Sequence, residues 1–277
     1  MEIVKIDLNC IREIFKKRPA DSHKGTFGHA LLIAGSQDKM GAAIIASKAC
    51  LRTGVGLLTV ACASENKNVL FSTVPEAMVL DLHNTSDFSM FQAIGIGPGI
   101  GVNETSLDHL HKLTNLHCPV VLDADALNVI SEHQMDWSCF QFPFILTPHP
   151  KEFDRLFGSH SSDSERRQKA IQKAFELKGV IVLKGHRTFI TNGTHSFENT
   201  TGNSGLAKGG SGDALTGIIT SLTAQGYATL EAATLGVYLH GIAADITLES
   251  QSEESMLITD VIENIGLAFK YLKSDIN

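Results

Sequence analysis

A chain of 277 residues with 43% hydrophobic side chains can bury one large core, and its 24 glycines and 7 prolines are ordinary for a folded protein, not a disordered one. A formal charge of −7 without a long basic run excludes a surface that binds nucleic acid by counterion release, so any bound phosphate must be held locally by backbone N–H groups and a few placed cations. No apolar stretch approaches the ~20 residues of a membrane-spanning helix and the opening MEIVKIDLNC lacks the apolar core of a secretory signal, so a cytosolic chain without a membrane partner is expected.

Strand-length apolar runs alternate with helical patterns along the chain. HALLIAG at 29–35 reads as a strand, GAAIIASKACLRTG at 41–54 as a helix and GLLTVA at 56–61 as a strand again. The runs at 92–97, 119–124, 143–147 and 179–185 have the near-continuous β-rich composition of strands covered on both faces. Helices are expected at 103–115, 150–157 and 163–177, and then at 211–225, 228–248 and 258–272. The alternation predicts a doubly wound, mainly parallel sheet flanked by helices, with a helical cap as the C-terminal segment and a single domain over 1–277. Cys10, Cys50, Cys62, Cys118 and Cys139 are odd in number and widely spaced, which fits buried reduced thiols better than disulfides or zinc. His109, His111 and His117 lie close in sequence, but spacings of two and six do not share one helical face, so an exposed helix is expected there and not a metal cluster.

The most informative segment is NTTGNSGLAKGGSGDALTGIITSLTAQG at 199–226. Gly209, Gly210, Ser211, Gly212 and Asp213 run straight into a helical pattern. Unsatisfied N–H groups and the dipole at such a helix start form an anion site, and glycine lets a phosphate approach the backbone closely. Asp213 reads in two ways: as a first-turn capping residue, or as a general base facing a hydroxyl that undergoes phosphoryl transfer. Gly95, Gly97, Gly99 and Gly101 form a tight turn after a strand and do not match a dinucleotide fingerprint, because Pro98 interrupts the loop. His149, between Pro148 and Pro150, follows another strand at the end where open α/β sheets bind ligands. Lys184 ends a third, placed to meet phosphate as a point charge. Asp123 and Asp125 in LDADALN have three open roles: indirect Mg²⁺ binding, hydrogen bonding to substrate, or capping the following helix.

GGSGD opening a late helix resembles the anion-hole signature of the ribokinase-like superfamily. SHKGTFGHALLIAGS at 22–36, the segment 41–61, VPEAM at 74–78, GIGPGIG at 95–101, PVVLDADALN at 119–128, ILTPHPKEF at 145–153, VIVLKGHRT at 180–188 and TGNSGLAKGGSGDALTG at 201–217 narrow the resemblance. They are similar to the ADP- or ATP-dependent NAD(P)H-hydrate dehydratases, in order over residues 20–245. The resemblance implies a ribokinase-like fold, hydrated NADH or NADPH as substrate, ADP or ATP as co-substrate, and Mg²⁺ with no assigned protein ligands. It further implies that Asp213 is catalytic and that Ala42, Ala43, Gly97, Gly99, His149 and Asp213 contact substrate. Lys184, Gly185, His186, Arg187, Thr188, Asn203, Gly209, Gly210, Ser211 and Gly212 would hold the nucleotide. A homotetramer and a separate epimerase, for which this chain has no room, complete the implication. The main alternative is a superfamily kinase that phosphorylates a vitamin-precursor alcohol; a nucleotide-sensing protein would have lost Asp213 or the glycine run.

Overall fold

Strands buried on both faces carry uninterrupted apolar side chains, and each of the six expected runs contains such a strand. The computed structural model describes residues 2–81, 87–114 and 116–274. In chain order they form β1 (Ile3–Lys5), α1 (Leu8–Ile14), β2 (His29–Ile33), α2 (Met40–Arg52), β3 (Leu57–Ala61), α3 (Lys67–Thr73) and β4 (Met78–Leu80). Then come β5 (Ala93–Ile96), α4 (Glu104–Leu113), β6 (Val120–Leu122), α5 (Ala124–Glu132), β7 (Phe144–Leu146), α6 (Pro150–Phe157), α7 (Asp163–Leu177) and β8 (Val180–Leu183). The last elements are β9 (Phe189–Thr191), β10 (Ser196–Glu198), α8 (Ser211–Ala224), α9 (Thr229–Thr247) and α10 (Ile258–Lys273). The helix expected over 103–115 closes at Leu113, and residue 115 lies outside the described residues.

All ten strands join one sheet in the order β1-β10-β9-β8-β7-β6-β5-β2-β3-β4. From β4 to β8 every neighbouring pair is parallel, whereas β9 pairs antiparallel with β8 and β10. The chain winds outward from β2 to β4, then returns to place β5 on the other side of β2, so the strand order reverses between β2 and β5. In doubly wound sheets the crevice beyond the carboxyl ends at such a reversal is where ligands bind.

Side chains alternate across the sheet as the pleat requires. Leu31 and Ile33 of β2 join α4, α5, α6 and α7 in the core of one face, while Ala30 and Leu32 pack against α2 and α3 on the other. The helices from residue 211 onward are not a terminal cap. They form, with α2, the layer over the second face, and Ala214 to Ala224 of α8 are all buried. The antiparallel β9–β10 hairpin and β1, which extends the edge, were not expected: runs of three residues carry too little periodicity to register. Only Cys50 of the five thiols is buried, Cys139 is exposed and the rest are half-buried, so burial does not explain cysteine usage. No helix among the described residues is long and apolar enough to cross a membrane.

Candidate active site

Five of the six apolar runs extend one or two residues beyond the carboxyl end of their strand, and residues from those extensions build the site. Backbone bonds stitch the strand ends together: Gly97 N–H donates to Ile33 (3.2 Å), Asp123 N–H to Ile96 (3.1 Å) and Lys184 N–H to Pro148 (2.9 Å). Gly97 has φ +135°, and a Cβ there would lie 1.8 Å from the Asp123 carbonyl oxygen, so only glycine permits this approach. Ala124 has φ +46°, a strained conformation for a residue with a side chain. With it, the two flanking aspartates serve different neighbours. Asp125 accepts from Gly101 N–H (2.8 Å) and Lys39 Nζ (3.1 Å), which fastens the glycine loop to α5.

Asp123 occupies the N-cap position of α5 but makes no capping hydrogen bond, so the capping reading is wrong for it. At 1% exposure it accepts from Lys184 Nζ through Oδ1 (2.7 Å) and from the Thr216 hydroxyl of α8 through Oδ2 (2.7 Å). Lys184 also stands 4.0 Å from buried Glu152. Burial works against the lysine charge, but Asp123 and Glu152 outweigh it and its pKa lies above the ordinary value. Burial raises the Glu152 pKa, opposed by Lys184. His149 caps α6: Nδ1 accepts from Lys151 and Glu152 N–H, and Nε2 lies 3.2 Å from Glu152 Oε1. Those bonds assign the proton to Nε2, and burial together with Lys184 keeps the ring pKa low. Both nitrogens are engaged within α6, so His149 orders this wall.

Gly210 is the N-cap of α8, in the left-handed region at φ +92°, and a Cβ would press within 2.7 Å of the Ile45 side chain. No side chain caps α8, so Asp213 in its first turn is not a cap, which removes the structural reading of that residue. Burial raises its pKa to about 6, reinforced by the Asp123 carboxylate and opposed by Lys184. Gly212 is close enough to Lys184 that a Cβ would lie 3.2 Å from Nζ. The helix start, one cation and one carboxyl of raised pKa therefore converge.

A cavity of about 640 Å³ opens beside them, lined by His149, Lys184, Gly185, His186, Thr188, Asn203, Ser211 and Gly212 among others. Arg187 lies apart from that lining and donates to the Thr200 carbonyl (2.9 Å). Gly209 and Gly210 precede the helix as the turn into it. On the crevice side, a Cβ at Gly99 would meet Ala42 Cβ at 3.0 Å, whereas Ala43 is fully buried and presents no side-chain surface to a ligand. Asn203 folds its own loop: it accepts from Gly205 N–H (3.0 Å) and donates to Asp245 (3.0 Å), which also accepts from Gly202 N–H (2.9 Å). The sequence reading passed over Glu152, Thr216, His240 and Asp245. A glutamate three residues after His149 was a legible capping-box signal, but the other three face the site from helices whose patterns read only as core.

A sheet reversed at its centre, a glycine turn opening a buried late helix and an acidic residue in that helix's first turn define a ribokinase-like α/β protein. The chain belongs to the family described as NAD(P)H-hydrate dehydratase, whose model matches residues 30–266. It is 37% identical over 262 residues to a bifunctional NAD(P)H-hydrate repair enzyme of Coxiella burnetii, covering 91% of this chain and 52% of that one. This chain therefore spans about half the length of the bifunctional relatives it matches. It is also 34% identical to an ADP-dependent (S)-NAD(P)H-hydrate dehydratase of Bacillus subtilis, over 94% of this chain and 96% of the other. A crystal structure of the ADP/ATP-dependent NAD(P)H-hydrate dehydratase from B. subtilis, co-crystallized with ATP/Mg2+, superposes with a TM-score of 0.90 at 32% identity, covering 98% and 99% of the two chains.

Proposed function

We propose that this protein is a hydro-lyase that dehydrates the S epimer of hydrated NADH or NADPH at the expense of ADP, or ATP, as a cytosolic metabolite-repair enzyme. The observation that carries the reading is the carboxyl of Asp213, with a pKa of about 6, beside Lys184 at the uncapped start of α8. Hydroxide is a poor leaving group and phosphate a good one. Asp213 takes the proton of the ring hydroxyl while that oxygen bonds to the terminal phosphorus and the bond to the bridging oxygen breaks, releasing AMP when ADP is used. Phosphate then leaves with the C–O bonding pair, the neighbouring ring carbon gives up a proton, and the double bond returns. Lys184, fixed on Asp123, and the N–H groups around Gly209 to Gly212 hold the nucleotide phosphates, with Gly185, His186, Arg187, Thr188 and Asn203 forming the loops around them. Ala42, Gly97, Gly99 and His149 bound the crevice for the hydrate.

The carboxylates fit a magnesium ion brought in on the nucleotide better than a resident one. Asp123 is already engaged with Lys184 and Thr216, and among the described residues no three His, Cys, Asp or Glu side chains form a ligand set. Asp125 is likewise held by Lys39 and Gly101, so Asp213 at the start of α8 is the carboxylate that would face such an ion, which would neutralise phosphate charge when bound. Assembly as a homotetramer and an epimerase acting in the same pathway complete the proposal.

Incubation of the protein with hydrated NADH, Mg²⁺ and either ADP or ATP tests it. The expected result is recovery of the near-ultraviolet absorbance of the reduced ring, with one phosphate released per NADH restored. A stable phosphorylated alcohol would instead mark a kinase.

A further inference from the structure

The wall of the 640 Å³ cavity at Thr201, Gly202 and Asn203 is loop, and a segment without a ladder of its own takes its order from what it lies on. It lies on α9. A Cβ at Gly241 would fall 2.1 Å from Thr201 Oγ1, so the loop rests on the helix backbone itself, and the Thr201 hydroxyl donates to the Tyr238 carbonyl (3.2 Å). One turn beyond Gly241, half-buried Asp245 occupies the same face of α9. Its Oδ2 accepts from Gly202 N–H (2.9 Å) and its Oδ1 from Asn203 Nδ2 (3.0 Å). Two donors converge there, and a carboxylate offers an acceptor on each oxygen. The same contact orients the Asn203 amide. With its nitrogen turned to Asp245, its oxygen accepts from Gly205 N–H (3.0 Å) and caps the short 3₁₀ turn Ser204–Leu206 that leads toward the glycine run. Asp245 itself stands outside the cavity lining.

We propose that Asp245 is a positioning residue for the nucleotide: it holds the loop at Gly202 and Asn203 in its binding shape before the ligand arrives and touches no ligand itself. The inference rests on the nucleotide reading of this cavity. Gly202 stands at φ +95°, and a glycine has many other conformations open to it. Without the carboxylate the loop explores them, and each binding event then carries the cost of ordering it. That cost falls on the nucleotide and not on the hydrate, because the crevice at Ala42, Gly97 and Gly99 is built from α2 and the turn after β5.

The test is a charge exchange, read by isothermal titration of ADP and by the KM for hydrated NADH at saturating ADP. Asp245→Asn sets an amide nitrogen against one of the two donors and should lose about tenfold in ADP affinity. Asn203→Asp sets a second carboxylate against the first and should lose about a hundredfold. The double variant exchanges the two groups, keeps the net charge and returns every donor to an acceptor, so it should bind ADP within about fivefold of wild type. The hydrate KM of Asp245→Asn should move less than about twofold. An Asp245→Asn variant that binds ADP as wild type does overturns the proposal, and so do losses that simply add in the double variant. A hydrate KM that rises as much as the ADP dissociation constant also overturns it, because a merely structural role would weaken both. Should a single variant fail to fold, the double variant decides alone: failure to fold, or ADP binding more than about fivefold weaker than wild type, overturns the proposal. A wild type that binds no ADP overturns the nucleotide reading itself.

Discussion

The two ends of α8 are both lined by charge and both open onto cavities, yet they are built differently. At the N-terminal end a carboxylate is buried against one lysine, no side chain caps the helix, and Asp213 is pushed toward neutrality. At the C-terminal end a cavity of about 400 Å³ is surrounded by Lys16, Lys17, Arg18, Arg52 and Lys273. These cations have ordinary partners. Lys16 lies 4.6 Å over the Tyr227 ring and donates to the Gly226 carbonyl, Arg18 stacks 3.7 Å over Phe27 and donates to the Gly54 carbonyl, and Arg52 pairs with Glu263. Basic side chains satisfy and neutralise the carbonyl ends of helices, so charge at that end is a cost already met. Charge held against burial at the N-terminal end has no such structural account, and that asymmetry separates a site from a surface feature.

The comparison breaks first at Asp213. Asp213→Asn should lower turnover by about 10²–10⁴-fold while ADP affinity holds or tightens, as calorimetry and steady-state kinetics will show. In wild type the base must be deprotonated, so activity should rise with pH through about 6 and then level off. The sign for stability is opposite: a carboxyl whose folded pKa is raised favours the fold when protonated and loses that advantage as pH rises through about 6. The asparagine variant should therefore melt at or above the wild-type temperature near neutrality, with the gap closing toward about pH 4. Near-wild-type turnover in this variant would remove Asp213 from the chemistry.

Lys184→Ala leaves Asp123 buried without its cation, and denaturant unfolding should show a loss of about 3 kcal/mol. It should also raise the nucleotide KM more than that of the hydrate, and equal effects on both would detach Lys184 from phosphate. Gly97→Ala drives a Cβ into the Asp123 carbonyl and forces an unfavourable φ, so a loss of about 2 kcal/mol is expected in the same assay. Arg18→Ala at the far end should cost less than about 1 kcal/mol and leave turnover within about twofold, because an exposed cation over a ring contributes little. A large loss of activity there would erase the distinction between the two ends.

Legibility followed the same division. The glycine turn into α8 and the strands carrying Gly97, Asp123 and Lys184 were readable because local propensity and periodicity agree with the fold along those segments. The role of Asp123 was not readable, since its partners Lys184 and Thr216 lie 61 and 93 residues away and reach it only when β6, β8 and α8 are packed together. Taken by itself Asp213 read as a cap or a base, and the resemblance favoured the base; the structure adds that α8 is uncapped and that the carboxyl is desolvated. The assignment of Arg187, Asn203 and Ala43 to ligand contact came from motif resemblance, and their packing shows one bonded to a loop carbonyl, one folding its own turn and one fully buried.

By itself the sequence determined the alternation of strand and helix, the run from glycine into helix at 209–213 and the family, because hydrophobic period, turn chemistry and contiguous motifs are local properties of a chain. Only the tertiary structure decided which side chains became charged neighbours, which carboxylate was forced toward its neutral form and which histidine was sealed into the cavity wall. Dielectric surroundings and hydrogen-bond partners are set by residues far apart along the chain, and they exist only once the layers close.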